Sequence, residues 1–478
     1  MKKILTAVCL ILVIVLNCFA LASCGGDSTE TKDNGSFVPE EGLTYDGSEV
    51  EITFYHTMGA NLRTVLDKYV VKFNEMYPNI KIVHSQEGGY DDVRDKISTE
   101  LTVGNQPNIA YCYPDHVALY NLAGSVVTLD SFIGSKAEVT KADGTKETVG
   151  FTEAQIADFI DAYYNEGKEF GDDKMYTLPL SKSTEVLYYN KTFFDANNLS
   201  VPTTWDELET LCAQILAIDP NCIPLGYDSE ANWFITMAEQ LKSDYTSAEE
   251  GNHFLFDNET NRSFVKRFAE WHQKGYVTTQ EIYGAYTSGL FVAQTGTKSY
   301  MSIGSSAGAT HQRPAATDDG SYPFEVGIAT IPQADAANKK VISQGPSLCI
   351  FNSTSQQEVV ASWLFVKYLT SCVEFQAEFG MVSGYVPVLE SVAQNPVYAD
   401  FIATANGGDN IAALSAKVCL EQKDAYYTSP AFNGSSEARD QVGALMQFCM
   451  VEYKNAADKD AMIKKAFEDA VAECEYMS

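Results

Sequence analysis

From Val50 the chain alternates between two hydrophobic periods, and that alternation restricts it to few folds. Val50-Glu51-Ile52-Thr53-Phe54-Tyr55 reads as a strand. Leu62, Val65, Leu66, Tyr69, Val70, Phe73 and Met76 then recur at i, i+3, i+4 and i+7, which predicts an amphipathic helix halted by Pro78; Ile80, Ile82 and Val83 return to a strand. A second helix is predicted over about 90–103, and 108–113 reads as the next strand after the 104–107 turn. Strand, helix, strand in succession implies parallel α/β layering. The part able to fold, about 430 residues, exceeds one ordinary core and suits two domains. Within 135–150, Asp143-Gly144 lies between alternating polar and apolar residues and predicts a peripheral hairpin. Thr204, with Glu207 three residues on, has the chemistry of a capping box opening a helix whose Leu208, Leu211, Ile215 and Leu216 face a core.

The N-terminus bears on location. Met-Lys-Lys, an unbroken apolar run to Ala20 and then Leu21-Ala22-Ser23-Cys24-Gly25 make an export signal, too short and wrongly flanked for a spanning helix. The cysteine after the small residues resembles the bacterial lipobox, in which the thiol is lipidated and becomes the first mature residue. That assigns 1–23 as a lipoprotein signal peptide and Cys24 as the anchor; an ordinary secretory peptide is the alternative. One acyl chain holds a protein only marginally to a bilayer, so the diacylglyceryl group the resemblance implies makes physical sense. Residues 25–42 (GGDSTETKDNGSFVPEEG) have almost no apolar side chain to bury, so 24–47 is expected as a flexible tether.

Charge and cysteine usage exclude several classes. There are 33 basic residues against 64 acidic, a formal net charge of −31, which repels nucleic acid and anionic membrane. Past the leader, no apolar run approaches the roughly 20 residues of a membrane span. Cys112, Cys212, Cys222, Cys349, Cys372, Cys419, Cys449 and Cys474 are scattered, which argues against a disulfide framework or a metal knuckle; only Cys212 and Cys222 are close enough in sequence to consider bridging.

Enzymatic readings are weak. Gly304-Ser305-Ser306-Ala307-Gly308 matches G-x-S-x-G after a strand, which would make Ser306 a nucleophile. The only later histidine, His311, follows too closely for the required acid to come between. The six histidines (His56, His84, His116, His253, His272, His311) show no H-x-x-x-H or H-E-x-x-H, so zinc chemistry lacks its ligands. Asp257-Asn258-Glu259-Thr260-Asn261 has a calcium-loop look, but Arg262 stands where that turn needs glycine; a helix cap is the simpler reading. Paired carboxylates of a glycosidase stay open with so many acids, yet no spacing singles out a pair. A structural adhesin would show repeats, and none is visible.

Several separate segments carry a resemblance. Lys174-Met175-Tyr176-Thr177-Leu178-Pro179 continuing to Leu187-Tyr188-Tyr189-Asn190-Lys191, the Val201-Pro202-Thr203-Thr204-Trp205-Asp206-Glu207-Leu208 block, Gly104-Asn105-Gln106-Pro107-Asn108-Ile109, Phe256-Asp257-Asn258 leading to Trp271-His272-Gln273-Lys274-Gly275-Tyr276, and Gly384-Tyr385-Val386-Pro387-Val388 run in one order over 48–455. That order resembles the extracellular solute-binding proteins of ABC importers, in particular the large carbohydrate-binding family that includes maltose-binding and glycerol-3-phosphate-binding proteins. The resemblance implies an α/β, bilobal periplasmic-binding-protein-like fold (type II) with a three-segment hinge. The crossings fall near 181–185, 343–347 and 385–388. One lobe is then 48–183 with 346–385, and the other 186–343 with 388–478. It also implies a monomer without cofactor or metal that holds a small molecule between the lobes, tethered outside the cytoplasmic membrane and serving a permease without catalysis.

Sugar recognition needs flat aromatic faces and hydrogen-bonding side chains, and the chain has 27 Tyr and 25 Phe. Placed against the family pattern, the ligand contacts are Tyr90, Asp115, Ser183, Trp233, Ser305, Ser306, Gly345, Tyr385 and Arg439. Tyr90, Ser183, Tyr385 and Arg439 are closest to the phosphoglycerol binder, where the guanidinium could hold a phosphate bidentately. Arg439 could equally sit on a solvated helix face, Trp233 in the core, and Asp115 at a helix cap. A mono- or oligosaccharide is the expected ligand, with glycerol-3-phosphate or a related phosphodiester second.

Overall fold

The first three strands form the parallel unit that the periodicity predicts. In the computed structural model, which describes residues 37–249 and 251–477, β1 (Val50–His56) pairs in parallel with β2 (Ile80–Gln86) and with β3 (Ile109–Cys112). Helix Ala60–Met76 joins β1 to β2 and buries Val65, Leu66, Tyr69 and Phe73, the face that the 3.6-residue period selects; it ends two residues before Pro78. Helix Tyr90–Leu101 joins β2 to β3. The predicted hairpin is β4 (Glu138–Thr140) against β5 (Lys146–Thr148), antiparallel, and its turn places Gly144 at φ +82°.

Two larger sheets follow from the remaining strands. These are β6 (Leu178–Pro179), β7 (Ser183–Asn190), β8 (Leu225–Tyr227), β9 (Val277–Thr279), β10 (Met301–Ser305), β11 (Val326–Thr330), β12 (Val341–Gln344), β13 (Ser347–Ile350) and β14 (Tyr426–Tyr427). The first sheet has the order β2-β1-β3-β13-β6, and the second β14-β12-β7-β10-β8-β9 with β11 also paired to β7. The chain passes from the first sheet to the second between β6 and β7 and returns between β12 and β13. A third segment lies against the first passage, where Lys182 N–H donates to Val386 O at 3.0 Å and Val386 N–H donates to Lys182 O at 2.5 Å.

Gly345 marks the return. Its φ is +122°, and a Cβ there would lie 2.6 Å from Ser181 O and 2.9 Å from Lys182 Cα. Both obstacles are backbone, so alanine cannot be accommodated by a side-chain shift. Gly345→Ala should therefore cost at least the roughly 1–3 kcal/mol of a residue forced into sparsely populated backbone space. A lowered denaturant midpoint with unchanged m-value is the readout.

Local chemistry accounts for the other predicted features. Glu207 N–H donates to Thr204 Oγ1 at 3.2 Å, and Glu207 Oε2 accepts from the N–H groups of Thr204 (3.2 Å) and Thr203 (2.7 Å), so the capping box opens helix Trp205–Ile218. Asn258 caps helix Glu259–Gln273 by accepting from Asn261 N–H at 3.0 Å, while Asp257 pairs with Arg262; this stretch is a cap, not a calcium loop. All four tryptophans are in the core. Cys212 and Cys222 are free, buried thiols, and burial pushes Cys222 up to about 12.

Within the expected tether, Phe37 and Tyr45 pack on the fold. Phe37 bridges to Val127, with its N–H on Val126 O at 2.7 Å, and the Tyr45 ring is buried against Tyr77. Those two aromatic rings supply the apolar anchors that 25–34 lacks. The signal segment and Cys24 lie outside the described residues.

Candidate functional site

Strand polarity brings the polar ends of five strands to one place. β8, β9 and β10 run parallel and finish at Tyr227, Thr279 and Ser305. β7 is antiparallel to β10 and therefore starts at the same edge with 183–185; β12 is antiparallel to β7 and ends there at Gln344. Carboxyl ends of parallel strands are where α/β sheets place their ligands. A cavity of about 900 Å³ opens at this edge, floored by the segments that follow these strands and walled by helix Ser435–Glu452, which contributes Arg439, Asp440 and Gln447.

The cavity is acidic. Glu185, Asp228, Glu230, Glu281 and Asp440 line it, with Arg439 the one guanidinium. Burial pushes Glu185 up to about 7, although Tyr227 donates to its Oε2 at 2.5 Å. Asp228 is raised by burial even though Thr287 donates to it twice, from N–H and Oγ1, both at 2.7 Å. Glu230 is raised by burial, and Asp440 by burial and by the Glu437 charge. Arg439 is partly committed already: its guanidinium donates to Asn232 Oδ1, and Asn232 Nδ2 is 2.9 Å from the Gln344 amide.

A second, smaller cavity of about 80 Å³ joins the two sheets. Tyr113 and Asp115, just past β3, face Gln344, Gly345 and Arg439 across it. Behind Tyr113 the Tyr90 ring stacks at 4.3 Å and 18°; burial, with the neighbouring Tyr385, Tyr113 and Tyr111 phenols, raises Tyr90 well above its ordinary range. Arg439 therefore borders both cavities.

Of the nine expected contacts, Asp115, Ser305, Gly345 and Arg439 line these cavities, while Tyr90 and Tyr385 join them through Tyr113. Three others lie elsewhere. Trp233 is 0 % exposed and sandwiched between Tyr227 (4.6 Å, 9°) and Phe268 (4.0 Å, 32°), so it is core and no platform. Ser306 is also 0 % exposed; its Oγ accepts from Thr184 N–H at 3.2 Å, which fixes the hydroxyl on backbone instead of presenting a nucleophile. Ser183 is buried in β7 with its hydroxyl 3.5 Å from Gln344 O.

Sequence reasoning did not find Glu185, Asp228, Glu230, Asn232 or Gln344. A usable signal existed for some of them: Asp228-Ser229-Glu230 follows the short run Leu225-Gly226-Tyr227, the same strand-then-polar pattern that points to Ser305.

Known proteins resemble this chain in sequence and in fold. The sn-glycerol-3-phosphate-binding periplasmic protein UgpB of Escherichia coli (strain K12) is 25% identical over 376 residues, covering 73% of this chain and 77% of that one. Its Salmonella paratyphi A namesake is 28% identical over 193 residues, where the match spans only 40% of the relative's length and 39% of this chain. The crystal structure of the cyclic alpha-maltosyl-1,6-maltose binding protein from Arthrobacter globiformis superimposes with a TM-score of 0.67 at 19% identity, covering 90% of this chain and all of that one, which establishes the two-lobed, type II periplasmic-binding-protein fold. The family model described as bacterial extracellular solute-binding protein matches residues 68–406, most of the folded chain, and the protein belongs to that family.

Proposed function

We propose that this protein captures a carbohydrate in the crevice between its two lobes and delivers it, unmodified, to an ABC permease from a Cys24 lipid anchor on the outer face of the cytoplasmic membrane. The lobes are 48–183 with 346–385, and 186–343 with 388–478, so that the passages at 181–185, 343–347 and 385–388 act as the hinge. A ligand touching both halves shifts the open and closed populations by its differential affinity.

The observation that carries the choice of ligand is the charge balance of the larger cavity: five carboxylates against one guanidinium. A phosphate dianion placed there would meet several like charges, each costly in a partly desolvated site. A sugar instead offers hydroxyl donors to acceptors that are already in place. Glycerol-3-phosphate remains the second reading, favoured by the names of the UgpB relatives and by Arg439.

A thermal-shift comparison of maltotriose with glycerol-3-phosphate tests this. A ligand present at 100 times its Kd stabilises the fold by about 2.7 kcal/mol. Stabilisation by the sugar alone, with the sugar recovered intact, supports the proposal; stabilisation by the phosphate alone, or release of cleaved sugar at turnover, overturns it. Arg439→Ala should weaken sugar binding by about tenfold, the scale of one hydrogen bond from a charged donor. Calorimetric titration gives that ratio directly.

A further inference from the structure

The larger cavity has an excess of acceptors that hydroxyl groups alone leave uncompensated. Glu185 and Glu230 are buried at 2% and 4% exposure, and Asp228 is half-buried and accepts from Thr287. Their hydrogen bonds come from neutral donors: Tyr227 to Glu185, Thr287 to Asp228, and the Glu281 N–H to Glu230 at 3.2 Å. Arg439 reaches toward this group but spends donors on Asn232.

An independent observation points the same way. Gln312 lines the cavity at 2% exposure; its Nε2 donates to Ser302 Oγ at 3.0 Å, and its Oε1 has no partner. With the nitrogen committed to the sheet, the oxygen is an acceptor left for a group in the cavity. At the mouth, the Tyr286 ring is 66% exposed and supplies the flat face a pyranose ring can cover.

Resting on the carbohydrate reading above, we infer that the ligand is a sugar bearing a protonated amino group, held among Glu185, Asp228 and Glu230 with its ring toward Tyr286. An ammonium has three donors and no acceptor, the complement of this wall, and it supplies the charge that buried carboxylates lack. A neutral sugar of the same size satisfies the hydrogen bonds but leaves the charge unmet.

Calorimetric titration at pH 7 compares the glucosamine trisaccharide, its fully N-acetylated form and maltotriose. The amine form should bind at least tenfold tighter than the N-acetylated form. Glu185→Gln and Asp228→Asn should each reduce that ratio at least threefold; because the ratio is taken within one variant, any loss of folded protein cancels. Neutral sugars binding as tightly as the amine, or both variants keeping the full ratio, overturns the inference and leaves the carbohydrate reading standing. Absence of binding by all three sugars overturns both.

Discussion

Lys182→Met should lower the stability of the fold by about 3–5 kcal/mol, the cost of stranding one partner of a buried ion pair. The Lys182 ammonium is 0% exposed and pairs with Glu166, itself 2% exposed. It also donates to Gly345 O at 3.1 Å and to Ser347 Oγ at 2.9 Å, while its backbone is bridged to Val386. Both passages between the sheets and the segment around Val386 therefore converge on one residue. With methionine there, Glu166 keeps only the Ser347 and Thr428 hydroxyls, at 3.2 and 3.3 Å, as neutral donors. Lys182→Met with Glu166→Leu should recover most of the loss, since replacing both charges removes the uncompensated carboxylate. Denaturant melts of the three proteins decide it; a single-variant cost under about 1 kcal/mol would show that water or a shifted backbone solvates Glu166.

What the sequence disclosed divides along the range of the interactions involved. Local signals were read correctly: the Thr204 and Glu207 box, the Asn258 cap, the Asp143-Gly144 turn and the Leu66, Tyr69, Phe73 stripe each depend on residues a few positions apart. The family resemblance added the two-lobed arrangement, which no local rule contains. The site was only partly legible. Glu185, Asp228 and Gln344 are separated by long stretches of chain and meet because β7 runs against β10 and β12 while β8 runs with β10, so that the start of β7 and the ends of β8 and β12 share one edge; strand order and polarity are not written in composition or periodicity. Ser306 and Trp233 show the converse problem. Both sit where a ligand residue is expected by position, but a one-residue step along the chain decides whether a side chain enters the cavity, as Ser305 does, or the sheet, as Ser306 does.

Trp233→Ala should cost a similar 3–5 kcal/mol, the scale for deleting a fully buried aromatic side chain, and it should reach the ligand as well. The indole lies nearly parallel to the Tyr227 ring, 4.6 Å away, and Tyr227 is the residue whose hydroxyl holds Glu185 at 2.5 Å. Removing the indole frees Tyr227 to relax into the void, loosening a carboxylate that lines the cavity proposed to hold the ligand. Trp233 is thus a positioning residue one layer behind the site. Trp233→Phe distinguishes that role from bulk packing. The indole Nε1 has no hydrogen-bond partner among the described residues, so phenylalanine forfeits none and retains a ring to stack on Tyr227. Phenylalanine should lose less stability than alanine and keep most of the affinity for the proposed carbohydrate. Equal losses of affinity in both variants would show that Tyr227 does not need the stacked ring to hold Glu185 in place.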